Sequence, residues 1–207
     1  MQTDDGRLIV VAGASRCGKT AYTAQQVKAE KRVIAWDIED QWAALPGWKK
    51  ITSRRDLFAA IQKPGPAKLA YVIGGDIKAE FDFWAGCAMH WGRYHGGCVA
   101  IAEELADVTT PSKAPGNWGI LVRRGLKRGI SIYAISQRWA EADKTCIGNA
   151  SEFVCFRISS GDDIGYMSRK TRIPSEALEG LADLEYIKFD PKKSGIERGK
   201  LSFSRKK

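Results

Sequence analysis

The segment Gly13-Ala14-Ser15-Arg16-Cys17-Gly18-Lys19-Thr20 fits the pattern G-x-x-x-x-G-K-[ST], and its flanks give the match its force. Leu8 to Ala12, just before it, is a short apolar run of the kind a central strand needs, and Thr20 to Glu30 reads as a helix. Strand, glycine-bounded loop and helix in that order describe a phosphate-binding loop. The glycines let the chain wrap so tightly that backbone N–H groups point inward at phosphate oxygens. The helix start adds unbonded N–H groups and a positive dipole end. Lys19 can reach β- and γ-phosphates, and the Thr20 hydroxyl can bind Mg²⁺, so the whole loop is the expected cradle for ATP. Arg16 and Cys17 fill the loop without an assigned contact, and a spectator thiol suits Cys17 better than an oxidation-sensitive one.

Strands and helices alternate along the rest of the chain, which predicts an α/β fold of three layers around a mostly parallel central sheet. Strands are expected at Arg32 to Asp37, Leu69 to Ile73, Cys98 to Ala102, Ile130 to Ser136, Glu152 to Ile158, Tyr186 to Phe189 and Lys200 to Phe203. Helices are expected at Asp56 to Gln62, Lys78 to Tyr94, Trp118 to Lys127, Ser160 to Arg169 and Pro174 to Leu181, with a helix or turn around Ala140 to Thr145. No linker or repeat divides the 207 residues, which suffice for one sizeable core. The expectation is one domain over 1–207, with a basic tail from about residue 190.

A nucleotide site of this kind needs carboxylates, and Cys98-Val99-Ala100-Ile101-Ala102-Glu103-Glu104 supplies two at the C-terminal end of a buried strand. In a parallel sheet that end faces the nucleotide. Glu103 would join the Mg²⁺ shell, a task more often given to Asp, and Glu104 would polarise the attacking water. Neighbours on a strand point opposite ways, so both roles require the pair to straddle the strand's end. Asp37, closing another strand, is the competing metal ligand. A further apolar strand, Ile130 to Ser136, ends in Gln137, whose amide can both donate and accept and so could sense a γ-phosphate or place water. Trp36, at a strand end, is a candidate to stack on adenine, although core packing suits most of the seven tryptophans.

The formal charge of +9 favours polyanionic partners. No run approaches 18 apolar residues, so no membrane span is expected, and the acidic start MQTDD is unlike a secretory signal. Five cysteines without close pairs fit a reducing compartment. Cys87, His90, His95 and Cys98 have a spacing that could hold zinc, but Cys98 opens a buried strand.

Together, the P-loop, the strand ending in a Glu pair, the segment Arg124-Gly125-Leu126-Lys127-Arg128-Gly129 and the strand ending in Ser136-Gln137-Arg138 resemble the FtsK–HerA class of P-loop motor ATPases. The run from Gly97 to Thr145 is similar to the compact genome-packaging ATPases of tectivirus-type, internal-membrane double-stranded DNA phages. The resemblance implies a RecA-like core of the additional-strand catalytic-glutamate type, with the Gln137 strand lying between the P-loop strand and that of the Glu pair. It implies a hexameric ring that moves double-stranded DNA without reading its sequence, with an arginine reaching in trans to the next subunit's γ-phosphate. Leu126 stands where related motors often carry that arginine, leaving Arg124 and Arg128 as the candidates. Basic pore residues would come from the 107–118 loop, with Lys113, and from the C-terminal tail. Portal or capsid-vertex proteins would be partners, and the host cytoplasm or a packaging vertex of the virion the location. Alternatives are another FtsK–HerA-type motor (filamentous phage assembly or DNA transfer), a nucleotide-kinase-like phosphotransferase, and a nucleotide-dependent binding module without turnover.

Overall fold

The computed structural model describes residues 5–112, 114, 116–193 and 195–203. Lys113, the acidic start up to residue 4 and the last basic residues of the chain, Arg205 to Lys207, lie outside them. Strand β1 (Leu8–Ala12) runs into α1 (Lys19–Gln26), followed by β2 (Arg32–Trp36), β3 (Lys49–Ile51), α2 (Arg54–Ile61) and β4 (Ala67–Tyr71). The middle of the chain forms α3 (Ile77–His95), β5 (Cys98–Ala102), α4 (Leu105–Val108), α5 (Gly116–Arg124), a 3-10 turn at Leu126–Arg128 and β6 (Ile130–Ser136). The remainder is α6 (Lys144–Asn149), β7 (Glu152–Phe156), α7 (Gly161–Thr171), α8 (Ser175–Glu179), β8 (Glu185–Phe189) and β9 (Ile196–Lys200).

The nine strands make one sheet in the order β3-β4-β2-β5-β6-β1-β7-β8-β9. Pairing is parallel from β3 to β7, and β8 and β9 add an antiparallel edge. The strand of the Glu pair is thus separated from the P-loop strand by β6, the additional-strand arrangement. β3 was not expected: its residues Lys49-Lys50-Ile51 carry no apolar run, because an edge strand with two exposed lysines buries only Ile51. The closing strand lies at Ile196–Lys200 rather than Lys200 to Phe203, and with β8 it turns the start of the expected tail into a hairpin.

Side-chain alternation along each strand divides the interior into two cores. Leu8, Val10 and Ala12 of β1 face one core with Ala100, Ala102, Ile132 and Ala134, covered by α2 to α8. Ile9 and Val11 face the other with Val33, Ala35, Val99 and Ile101, covered by α1 and the Trp42–Trp48 loop. The longest helix, α3, is capped at Asp76, whose carboxylate accepts from the Ala79 amide. Its residues Phe81, Trp84, Ala85, Ala88 and Trp91 recur at helical spacing and are all fully buried. Each large side chain so buried contributes roughly 1.5–3 kcal/mol. Trp36 packs in this core against Tyr71, Phe81 and Trp84, so its ring is not available to a base.

Gly92 lets α3 approach the start of β6: a Cβ there would come within 2.2 Å of Ile130 Cγ1. Gly86, on the same helix, would meet only the Asn117 side chain, at 3.2 Å. Gly92→Ala is therefore expected to destabilise the fold by about 1–3 kcal/mol in urea unfolding, despite the better helix propensity of Ala. Gly86→Ala should stay near wild type, and equal losses at the two positions would refute the close-approach argument.

Candidate functional site

Four parallel strands bring their polar continuations to one edge. Ala12 pairs with Ser136, Ala134 with Ala102, and Ala102 with Trp36. Gly13, Gln137, the Glu pair and Asp37 therefore leave the sheet side by side. Asp37, Glu103, Glu104 and Gln137, with Lys19 and Thr20, border a cleft of about 480 Å³.

The loop from Gly13 to Thr20 is fastened at both sides. The Ala14 amide donates to the Arg157 carbonyl (2.8 Å), and the Leu184 amide donates to the Cys17 carbonyl (3.1 Å). Gly18 has φ +115°, and a Cβ there would sit 2.9 Å from Leu201 Cδ1, so the backbone conformation and the space both call for glycine. Lys19 is buried, and its ammonium donates to the carbonyls of Gly13 (3.0 Å) and Ala14 (2.7 Å) across the loop. The side chains of Ser15 and Arg16 are exposed at the rim. Burial pushes the Cys17 thiol up, against the pull of Lys19, which keeps it in the unreactive neutral form.

Glu104 has φ 46°, the left-handed region that a side chain adopts only at a cost of about 1–2 kcal/mol. That turn ends the strand's alternation, so both consecutive carboxyl groups face the cleft. Glu104 Oε1 accepts from Gln137 Nε2 at 2.7 Å. Glu103 is buried, and its Oε1 accepts from the indole N–H of Trp42 (2.9 Å) and from the Thr20 hydroxyl (3.3 Å). The same hydroxyl lies 3.1 Å from Gln41 Oε1, and its one proton serves one acceptor at a time. Burial pushes the Glu103 carboxyl up to about 7, with Glu104 adding to the rise and Trp42, Lys19 and Thr20 opposing it. Two hard oxygen donors, the Thr20 hydroxyl and the Glu103 carboxylate, stand together as a Mg²⁺ shell requires.

Asp37, the rival ligand, also borders the cleft. Its oxygens accept from the backbone amides of Gln41 (2.8 Å) and Ala43 (2.9 Å). It thereby ties down the loop that carries Gln41 to Thr20 and Trp42 to Glu103. Those two residues were missed in the sequence. The only hint was an Asp followed by polar residues and an isolated Trp just after β2. Behind Gln137, the Trp139 indole donates to the Val11 carbonyl (3.1 Å), and the Asp143 amide donates to Thr109 Oγ1 (3.1 Å). These bonds lock the end of β6 to β1 and to the segment after the Glu pair.

Arg124 and Arg128 are exposed and precede β6, whose seven residues span about 20 Å to Gln137, and neither borders the cleft. The chain does not bring them to its own cleft. Cys98 Sγ donates to the Ala88 carbonyl within the core, and His90 Nε2 faces Gln62. Among the described residues no group of three or more His, Cys, Asp or Glu is disposed to hold a metal ion. Nor, among them, is any helix long and apolar enough to cross a membrane.

No protein-family model matches the chain. Protein P9 of Pseudoalteromonas phage PM2 is 31% identical over 178 residues, which cover 84% of this chain and 79% of that protein. The chain belongs to the FtsK–HerA-like viral packaging ATPases. Among solved structures, the genome-packaging NTPase B204 of Sulfolobus turreted icosahedral virus 2, in complex with AMPPCP, superposes with a TM-score of 0.77 at 15% identity, covering 97% of this chain and all of that one. The bacterial conjugative coupling protein TrwB superposes at 0.68 with 10% identity, covering 96% of this chain and 86% of that one. These likenesses show a RecA-like P-loop fold.

In this packaging-type core the buried Glu103 makes stability depend on pH. Its folded-state pKa, about 7, exceeds the ordinary 4.5, so the fold favours the protonated form. The associated stability is complete below about pH 4.5 and is lost as pH rises through 7. Glu103→Gln is therefore expected to melt like wild type at pH 4.5 and several degrees higher at pH 8, a gain on the order of 1–3 kcal/mol. Thermal unfolding in EDTA at the two pH values measures it, and a difference independent of pH would contradict the assignment.

Proposed function

We propose that this chain is a ring-forming ATPase that drives double-stranded DNA into a viral capsid. The observation that carries the reading is the meeting of Lys19, Thr20, Glu103, Glu104 and Gln137 in one cleft, with the Gln137 amide 2.7 Å from the Glu104 carboxylate. Kinship with Protein P9 supports it, as does the likeness to B204, described for Sulfolobus turreted icosahedral virus as a DNA-packaging ATPase.

In this mechanism the N–H groups of Gly13 to Thr20 surround the β- and γ-phosphates. The Lys19 ammonium exchanges its two loop carbonyls for phosphate oxygens, which are stronger acceptors. Thr20 and Glu103 would hold Mg²⁺, whose charge screens the phosphates. A γ-phosphate oxygen competes with Glu104 for the Gln137 amide, and this leaves the Glu104 carboxylate to take a proton from water. The water oxygen bonds to the γ-phosphorus as the bridge to the β-phosphate breaks. Arg124 or Arg128 of a neighbouring subunit, six subunits to a ring, would stabilise the transition state. Their exposure before the start of β6, with neither bordering its own cleft, supports a contact in trans. Lys188, Lys192, Lys193, Arg198 and Lys200 on and around the β8–β9 hairpin would grip the phosphate backbone in a salt-dependent, sequence-independent way. The host cytoplasm or a packaging vertex would be its place, with portal or vertex proteins alongside. A small-molecule kinase has no use for β6 ending at Gln137.

Phosphate release should rise on adding double-stranded DNA, vanish in Lys19→Ala, and fall about 10²–10⁴-fold in Glu104→Gln while ATP stays bound. Wild-type turnover in Glu104→Gln would reject Glu104 as the base. For the arginines, a variant lacking the acting residue should lose about 10³-fold or more in turnover. Mixing it with Lys19→Ala subunits, which supply the arginine but no active cleft, should restore part of the activity. No recovery for either Arg124→Ala or Arg128→Ala would rule out both.

A further inference from the structure

We infer that Trp42 is a positioning residue that fixes the Glu103 carboxylate for the divalent ion; the inference rests on the proposed reading of the cleft. Glu has one more rotatable bond than Asp, so at the end of β5 its carboxylate is less well placed by the backbone alone. In this chain the indole N–H of Trp42 meets that carboxylate at 2.9 Å inside the core, where Trp42 has no solvent exposure. The contact joins residues 61 positions apart. It is not an accident of a mobile rim. The Trp42 ring lies against Trp48 with centroids 4.9 Å apart, and the backbone on either side of it, at Gln41 and Ala43, is held by the two oxygens of Asp37.

The indole is donor-only, so it can bond the carboxylate but cannot itself take a place around a cation. It bonds Oε1, the oxygen that also lies beside the Thr20 hydroxyl. The arrangement therefore fixes the carboxylate's rotation and aims it toward Thr20 before any ion arrives. A hydrogen bond to a ligand from outside the coordination sphere commonly supports affinity by about 10–100-fold. The same bond accounts for the use of Glu where Asp is more usual: the extra methylene, about 1.5 Å, carries the carboxylate out to the indole.

The test is Mn²⁺ binding, followed by electron paramagnetic resonance in the presence of AMPPCP, with thermal melts to confirm folding. Trp42→Phe keeps an aromatic ring but lacks the N–H, and should weaken Mn²⁺ about 10–100-fold. Trp48→Phe disturbs the same aromatic pair without touching Glu103 and should bind like wild type. Glu103→Asp withdraws the carboxylate from the indole, so adding Trp42→Phe to it should change affinity by less than about threefold, the non-additivity expected of groups in contact. An equal loss from Trp42→Phe in both backgrounds, or none in the wild-type background, would overturn the positioning role while leaving the cleft's reading intact. Wild-type protein that binds AMPPCP without retaining Mn²⁺ would instead remove the metal-shell reading of Thr20 and Glu103, and the role of Trp42 with it.

Discussion

Parallel pairing of β6 with both β1 and β5 is the constraint on which the cleft depends. Parallel strands end at the same side, so whatever follows them is delivered to one edge. Insertion of β6 places Gln137 between the phosphate loop and the Glu pair, where its amide spans to Glu104. The two cores, packed on the two faces of these strands, hold the edge rigid. Trp139, bonded to the Val11 carbonyl, ties the end of β6 to the strand that carries the loop.

The cleft shows how a fold accommodates a carboxylate where burial opposes its charge. Glu103 is nearly excluded from water, and its pKa rises accordingly. Trp42, Lys19 and Thr20 act in the other direction, each supplying a donor or a positive charge. Neighbouring Glu104 works against them, but its carboxylate is engaged by Gln137. Its left-handed backbone lets adjacent residues serve one space, a strain the surrounding packing can sustain.

Much of this was legible in the chain because it is local. Leu8 to Thr20 contains a whole strand, loop and helix start, and Gly18 declares its unusual φ through residue identity. Glu103, Glu104 and Gln137 each close an apolar run, so the strand's periodicity marks where the polar end must fall. β3 escaped notice because an exposed edge imposes no apolar alternation. Trp36 and Trp42 are the same residue type near the end of one strand, yet one is wedged among Tyr71, Phe81 and Trp84 and the other bonds a carboxylate. Composition cannot separate them, since the difference lies in which distant segment each ring meets.

The sequence by itself determined the phosphate loop, the polar ends of two apolar strands and the α/β class, because these follow from neighbours along the chain. Tertiary structure decided that the consecutive carboxyl groups share one cleft, that both oxygens of Asp37 fasten the loop carrying Gln41 and Trp42, and that Arg124 and Arg128 precede β6, whose seven residues span about 20 Å to Gln137. Those outcomes depend on backbone turns and on long-range packing, which fix directions in space that residue order leaves open.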